Sequence, residues 1–156
     1  MKTYIKFIII SFLKSFLNIF LIMFALVLIL NLLSKLIFFK AFTVDNFFPF
    51  YLALLNSLSL IFEMFPFIFL ISTQFFFINF FKNNELDIFK YSGLKNISII
   101  NIISLLTFLM GILIIFIFYN LSSNFKNIYL ELKSKYTYDN KYLAVITNNG
   151  LWIKDK

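Results

Sequence analysis

Lys82-Asn83-Asn84-Glu85-Leu86-Asp87-Ile88-Phe89-Lys90-Tyr91-Ser92-Gly93 is a polar interruption between two long apolar stretches, and its reading decides the fold. Asn84 suits an N-cap, and Glu85 and Asp87 fall in a first turn, where the helix dipole favours negative charge. Gly93 suits the left-handed position just past a helix end. The segment is therefore predicted as a separate short helix over about residues 84–92, bounded by those signals. Leu86, Phe89 and Lys90 share one side of it, which makes an amphipathic peg. Two uses fit such a peg: docking to a soluble partner, or lying on the membrane surface.

On either side of this segment the composition leaves one broad class. With 62% hydrophobic residues and 25 Phe among 156, the chain cannot hide its apolar surface inside a soluble domain of this size. It is expected to be an α-helical integral membrane protein. A bilayer crossing needs about 20 mostly apolar residues at about 1.5 Å of rise each. Three stretches meet that length, over about residues 16–33, 50–81 and 97–119. The second exceeds what a crossing requires and contains Pro66, whose missing N–H and ring clash predict a kink or tilt. Met1 to Lys14 mixes Lys2, Lys6 and Lys14 with Ile5, Ile8, Ile9 and Phe12. That pattern suits either a helix lying in the headgroup layer or a basic anchor flank. Lys14 interrupts the apolar run and no small-residue cleavage site follows, so this end is expected to be retained.

Lysine placement gives an expected orientation, since cytoplasmic flanks are richer in basic residues. Lys2, Lys6 and Lys14 flank the first span, and Lys82, Lys90 and Lys95 lie between the second and third. The loop between the first two spans has Lys35 and Lys40 with Asp45. The N-terminus and the 84–92 helix are thus expected inside, and the C-terminus outside. Residues 1–119 read as the transmembrane domain and 120–156 as an outer part, which the resemblance named below makes periplasmic. Within the latter, Leu121, Phe125, Ile128, Leu132 and Tyr136 predict an amphipathic helix continuing outward. Tyr142 to Thr147, the turn dipeptide Asn149-Gly150 and Leu151-Trp152-Ile153 predict the first hairpin of a sheet. The chain stops where a β-domain begins.

No Cys and no His are present, which removes thiolate nucleophiles, Cys-based zinc sites and imidazole acid–base catalysis. None of Gly93, Gly111 and Gly150 belongs to a phosphate-cradling loop, so any ATP must be bound by another chain. No cofactor, metal site or nucleic-acid partner is expected, and the chain is not read as an enzyme. Glu63 lies within the second stretch, one turn before Pro66, where an ionisable group is costly unless it faces protein or water. It reads either as a proton or ligand site or as a packed carboxyl near an interface. The Phe75-Phe76-Phe77 and Phe80-Phe81 runs read as lipid-facing bulk.

The order of these features resembles a known family. A span with a Pro in its middle is followed by Asn84-Glu85-Leu86 through Tyr91-Ser92-Gly93, a third span, an outward amphipathic helix and Gly150-Leu151-Trp152-Ile153-Lys154-Asp155. This resembles the lipopolysaccharide-export permeases of the LptF/LptG (YjgP/YjgQ-like) family, with an ending more similar to LptG. The resemblance covers the N-terminal half of a family member and implies three spans, a coupling helix and the start of a periplasmic β-jellyroll. It implies an inner-membrane permease subunit of an ABC transporter that extracts lipopolysaccharide and passes it toward the outer membrane. The implied partners are a dimer of the cytoplasmic ATPase LptB, a second LptF/LptG-type permease and periplasmic LptC/LptA-type β-jellyroll proteins. By resemblance Glu85 matches the acidic residue of the coupling helix, and Leu86, Asp87 and Phe89 join it at the ATPase interface. Lys35 and Lys40, at the end of the first span, are placed to meet the lipid phosphates, or act as ordinary interfacial anchors.

From another class comes a stand-alone three-span assembly or pore-forming protein whose tail binds a partner by strand addition. The unfinished hairpin and the capped loop helix count against it. A truncated frame, a fragment and a split subunit are equally compatible with the length.

Overall fold

The computed structural model describes residues 3–40, 42, 44–45, 47–91, 93, 95–136, 144–147 and 150–153. Among the described residues, five helices, α1 (Thr3–Phe39), α2 (Phe48–Glu63), α3 (Phe65–Lys82), α4 (Glu85–Tyr91) and α5 (Asn96–Ser134), precede two strands, β1 (Ala144–Thr147) and β2 (Gly150–Ile153). Three of the helices, α1, α3 and α5, are long and apolar enough to cross a membrane.

Neither Gly nor Pro occurs before Pro49, and α1 runs 37 residues without a break. Its buried residues, Ile8, Phe12, Ser15, Ile19, Val27, Asn31, Lys35 and Phe39, are almost all three or four apart, with one double step between Ile19 and Val27, so one stripe faces the bundle along the whole helix. Residues 3–14 are the opening turns of this one helix, continuous with the predicted span. Ile8 and Phe12 are fully buried against Phe76 and Phe80 of α3 and Ile99 and Ile103 of α5, while Lys6 and Lys14 are exposed.

The second apolar stretch is two helices. Pro49 and Pro66 both stand in the first two positions of a helix, where a missing N–H costs least. At the break, the Met64 N–H reaches Leu60 and Ile61 carbonyls, both at 3.2 Å, and the Met64 carbonyl accepts from Ile68 at 3.0 Å. Pro66 has no N–H to continue the ladder onto Phe62, which places the interruption here. α2 packs on α1 and α5, and α3 packs on α1.

α5 spans 39 residues and unites the third apolar stretch with the predicted amphipathic helix. At about 1.5 Å per residue it is about 58 Å long, roughly twice the thickness of a hydrocarbon core. Its far half packs back against the bundle through Ser122, Phe125, Tyr129 and Leu132, and Tyr136 just beyond its end joins them. That spacing of three, four, three and four is a seam against neighbouring helices. Leu121 and Ile128, predicted on this face, are exposed instead.

Three apolar clusters stack along the bundle. The first joins α1, α3 and α5 near α4. The middle one gathers Ile19, Val27, Ile61, Phe65, Ile68 and Ile114. The third holds Phe39, Leu52, Leu55 and Tyr129. Phenylalanines knit them together: Phe16 meets Phe69 at 4.9 Å, and Phe20 stacks on Phe65 at 5.9 Å between ring centroids. Phe76 and Phe80, expected to be lipid-facing, are buried, whereas Phe81 is exposed.

β1 and β2 pair antiparallel, from Ala144 opposite Ile153 to Thr147 opposite Gly150. Both strands fall within the predicted hairpin, with Gly150, predicted in the turn, pairing in β2; Tyr142, Asn149 and the Lys154-Asp155 ending lie outside the described residues.

Candidate functional sites at the two ends of the bundle

α4 is joined to α3 by a turn at Asn83 and Asn84. Asn84 occupies the N-cap place, since its carbonyl accepts the Ile88 N–H at 3.3 Å. Its φ of 55° is left-handed rather than the extended conformation usual for an N-cap, and Asn tolerates that region better than most residues. The neighbouring Asn83 amide instead reaches the Glu85 carboxylate at 3.5 Å. At the other end Gly93 has φ of 79°, as the spacing predicts, and its N–H donates to the Lys90 carbonyl at 2.9 Å. Asp87 and Lys90 form an ion pair at 3.7 Å along the helix.

The four residues assigned to this site divide into two faces. Leu86 and Phe89 turn back onto the bundle and pack against the first apolar cluster. Phe89 lies parallel to Phe80 of α3, with centroids 5.6 Å and planes 7° apart, and meets Phe7 of α1 at 5.8 Å. Glu85 is half-buried, and Asp87 is exposed together with Ile88 and Tyr91. The apolar side of the peg is its anchor, and the outward face carries Asp87, Ile88 and Tyr91.

At the opposite end Lys35 and Lys40 are not brought together. Lys35 continues the buried stripe of α1 and is 8% exposed. Its ammonium donates to the Tyr129 hydroxyl of α5 and lies 4.6 Å from the centroid of the same ring. Lys133 approaches that ring at 5.9 Å and Phe38 at 5.6 Å. Lys40 is exposed and lines an open cavity of about 370 Å³ with Leu36, Phe39, Phe42, Val44, Asp45 and Pro49.

Between these levels α1 and α2 share a polar knot. The Asn31 amide donates to the Val27 carbonyl at 3.3 Å and to the Ser57 hydroxyl at 3.2 Å, and its carbonyl oxygen accepts from Asn56 at 2.6 Å. Ser57 in turn donates to the Ala53 carbonyl at 2.7 Å. Glu63 is not enclosed: it is exposed at the end of α2 and pairs with Lys126 of α5 at 3.4 Å. Reading the sequence missed Tyr129, Lys126 and Asn31. The first two become partners only through helix packing; Asn31 was detectable as a polar residue inside an apolar run.

From Ile99, beside α4, to Tyr129 is 30 residues of unbroken helix, about 45 Å, against about 30 Å for a hydrocarbon core. Both ends of the bundle therefore cannot lie within the lipid interior together; α4 with Glu85, Asp87 and Lys90 stands at one end and Lys35, Lys40 and Lys133 at the other, with the Glu63–Lys126 pair between them. Comparison with curated proteins and with solved structures found no match. The model of the family described as lipopolysaccharide export system permease LptF/LptG matches residues 6–156. With nearly the whole chain matched, this membrane protein belongs to the LptF/LptG family of lipopolysaccharide export permeases.

Proposed function

We propose that the chain is the permease subunit of an ABC transporter of the bacterial inner membrane, extracting lipopolysaccharide and passing it toward the outer membrane. A separate ATPase, the LptB dimer, drives it, and a second LptF/LptG-type permease completes the pair. In this reading α4 is the cytoplasmic coupling helix, and the hairpin opens a periplasmic β-jellyroll that continues to LptC/LptA-type proteins by strand pairing. The N-terminus is cytoplasmic and the C-terminus periplasmic.

The observation that carries the reading is the two-faced α4. A helix of seven residues is too short to be stable alone in water, and Leu86 and Phe89 pin it to the bundle. Glu85, half-buried, and Asp87, exposed beside Lys90, are the acids offered to the ATPase, and a rigid peg passes on a rigid-body movement that a floppy loop would absorb. Lys40 offers a cation to the lipid phosphates directly, whereas Lys35 does so only after leaving Tyr129.

Glu85→Lys in the assembled complex tests this. Loss of the copurifying ATPase together with lipid export is the expected result; retention of both removes α4 from the interface.

A further inference from the structure

We propose that Phe89 is a positioning residue that passes movement of α4 to the start of α1 through its contact with Phe7. The inference rests on the reading of α4 as the ATPase-coupled element. α4 is tied to α3 by backbone, because only Asn83 and Asn84 separate them and the Asn84 N–H donates to the Phe81 carbonyl at 3.1 Å. α1 has no such connection and meets α4 through side chains. Phe89 lies at the junction, parallel to Phe80 and 5.8 Å from Phe7.

The ring path then runs on into the bundle. Phe80 stacks on Phe76 at 5.2 Å, and Phe76 meets Phe12 edge-on at 5.9 Å. Phe12, Phe76 and Phe80 are all but fully buried, and buried side chains at the close packing usual of protein interiors pass a displacement to their neighbours. α1 therefore receives α4 at two heights, at Phe7 directly and at Phe12 through α3. Because α1 is unbroken to Phe39, a tilt imposed at Phe7 reaches the Lys35–Tyr129 contact at its other end. Phe7 is 41% exposed and lies outside the set of buried residues that make up the first cluster, so it is the ring of this path whose truncation removes the least buried surface.

The test uses the complete permease complex in its native membrane, with Phe7→Ala, Phe89→Ala, Phe89→Tyr, the double Ala variant and Glu85→Lys. Three quantities are read: ATPase copurified with the permease, its ATP turnover and lipopolysaccharide delivered. Phe7→Ala is expected to keep the ATPase bound and turning over within about twofold, while export falls roughly tenfold. Phe89→Ala lowers export at least as far, Phe89→Tyr restores it, and the double variant is no worse than Phe89→Ala alone, the signature of one shared contact. A fall of all three quantities in parallel in Phe7→Ala marks a purely structural role and overturns the proposal, as does wild-type export in that variant. Loss of ATPase in Glu85→Lys beside full export in Phe7→Ala overturns the ring contact alone. Bound ATPase in Glu85→Lys with wild-type export throughout overturns the coupling reading as well.

Discussion

The Lys35 ammonium of α1 donates to the Tyr129 hydroxyl of α5, joining residues 94 apart in the chain at the end of the bundle opposite α4. Lys35 stands where the buried stripe of α1 calls for an apolar side chain, between Asn31 and Phe39. A buried cation is tolerable there because the tyrosine offers both an acceptor oxygen and a π-face, 4.6 Å from the ammonium.

Removing the acceptor alone is the severe change. Tyr129→Phe keeps the ring and strips the hydroxyl from a buried ammonium, and is expected to cost about 1–3 kcal/mol. Lys35→Met removes the charge together with its need for a partner, and is expected to be milder. Thermal unfolding of the detergent-solubilised protein ranks them, with Tyr129→Phe melting lower; the reverse order would show that Lys35 is not held by the hydroxyl.

The Asn31 knot makes a second prediction. Asn31→Leu leaves Asn56 without its acceptor, while Ser57 keeps its bond to Ala53. Polar contacts between membrane helices average about 0.6 kcal/mol and reach about 1.7. Asn31→Leu is expected near the upper value because two partners are lost at once, and Ser57→Ala near the lower. Equal melting temperatures for the two variants would remove Asn31 from the centre of the knot.

Glu63 and Lys126 form an ion pair whose side chains remain 58% and 49% exposed. Exposed pairs contribute about 0–1 kcal/mol and are screened by salt. Glu63→Gln is therefore expected to shift stability by less than about 1 kcal/mol, with the shift vanishing at high salt, and to leave transport unchanged. A proton relay at Glu63 would instead abolish transport in this variant at every salt concentration.

What the sequence made legible was local. The bounds of α4 are written in Glu85, Asp87 and Gly93, because dipole and left-handed φ act within one turn. Pro66 announced an interruption, and two separate helices rather than one bent span resulted because Pro66 falls in the opening turn of α3. That Ile8 and Phe12 meet other helices was not legible, because lysines on one side of a helix look alike whether the other side meets lipid or protein. Leu86 and Phe89 share one face as expected, whereas Lys90, assigned to the same side, is exposed beside Asp87; which way that face turns depends on Phe7 and Phe80, one distant in sequence and the other across a turn. Tyr129 and Lys126 were invisible for the same reason: nothing near them in the chain signals their partners.

The two left-handed residues flanking α4 give the last prediction. Gly93 has φ of 79° and a Cβ there would meet nothing within 4 Å among the described residues, so the cost of Gly93→Ala is one of backbone conformation, about 1–2 kcal/mol. At Asn84, φ of 55° is a conformation Gly adopts freely, so Asn84→Gly is expected to be close to neutral. Since no side chain of α4 is fully buried, the strain of Gly93→Ala is relieved by opening α4 rather than the bundle. Backbone amide exchange in detergent should then speed up at Ile88 and its neighbours in Gly93→Ala, roughly tenfold for each 1.4 kcal/mol, while amides beside Phe12 and Phe76 keep their protection. Faster exchange across the whole bundle would mean that α4 and the first apolar cluster open as one unit; unchanged exchange in α4 would mean that Gly93 is not under the conformational demand its φ implies.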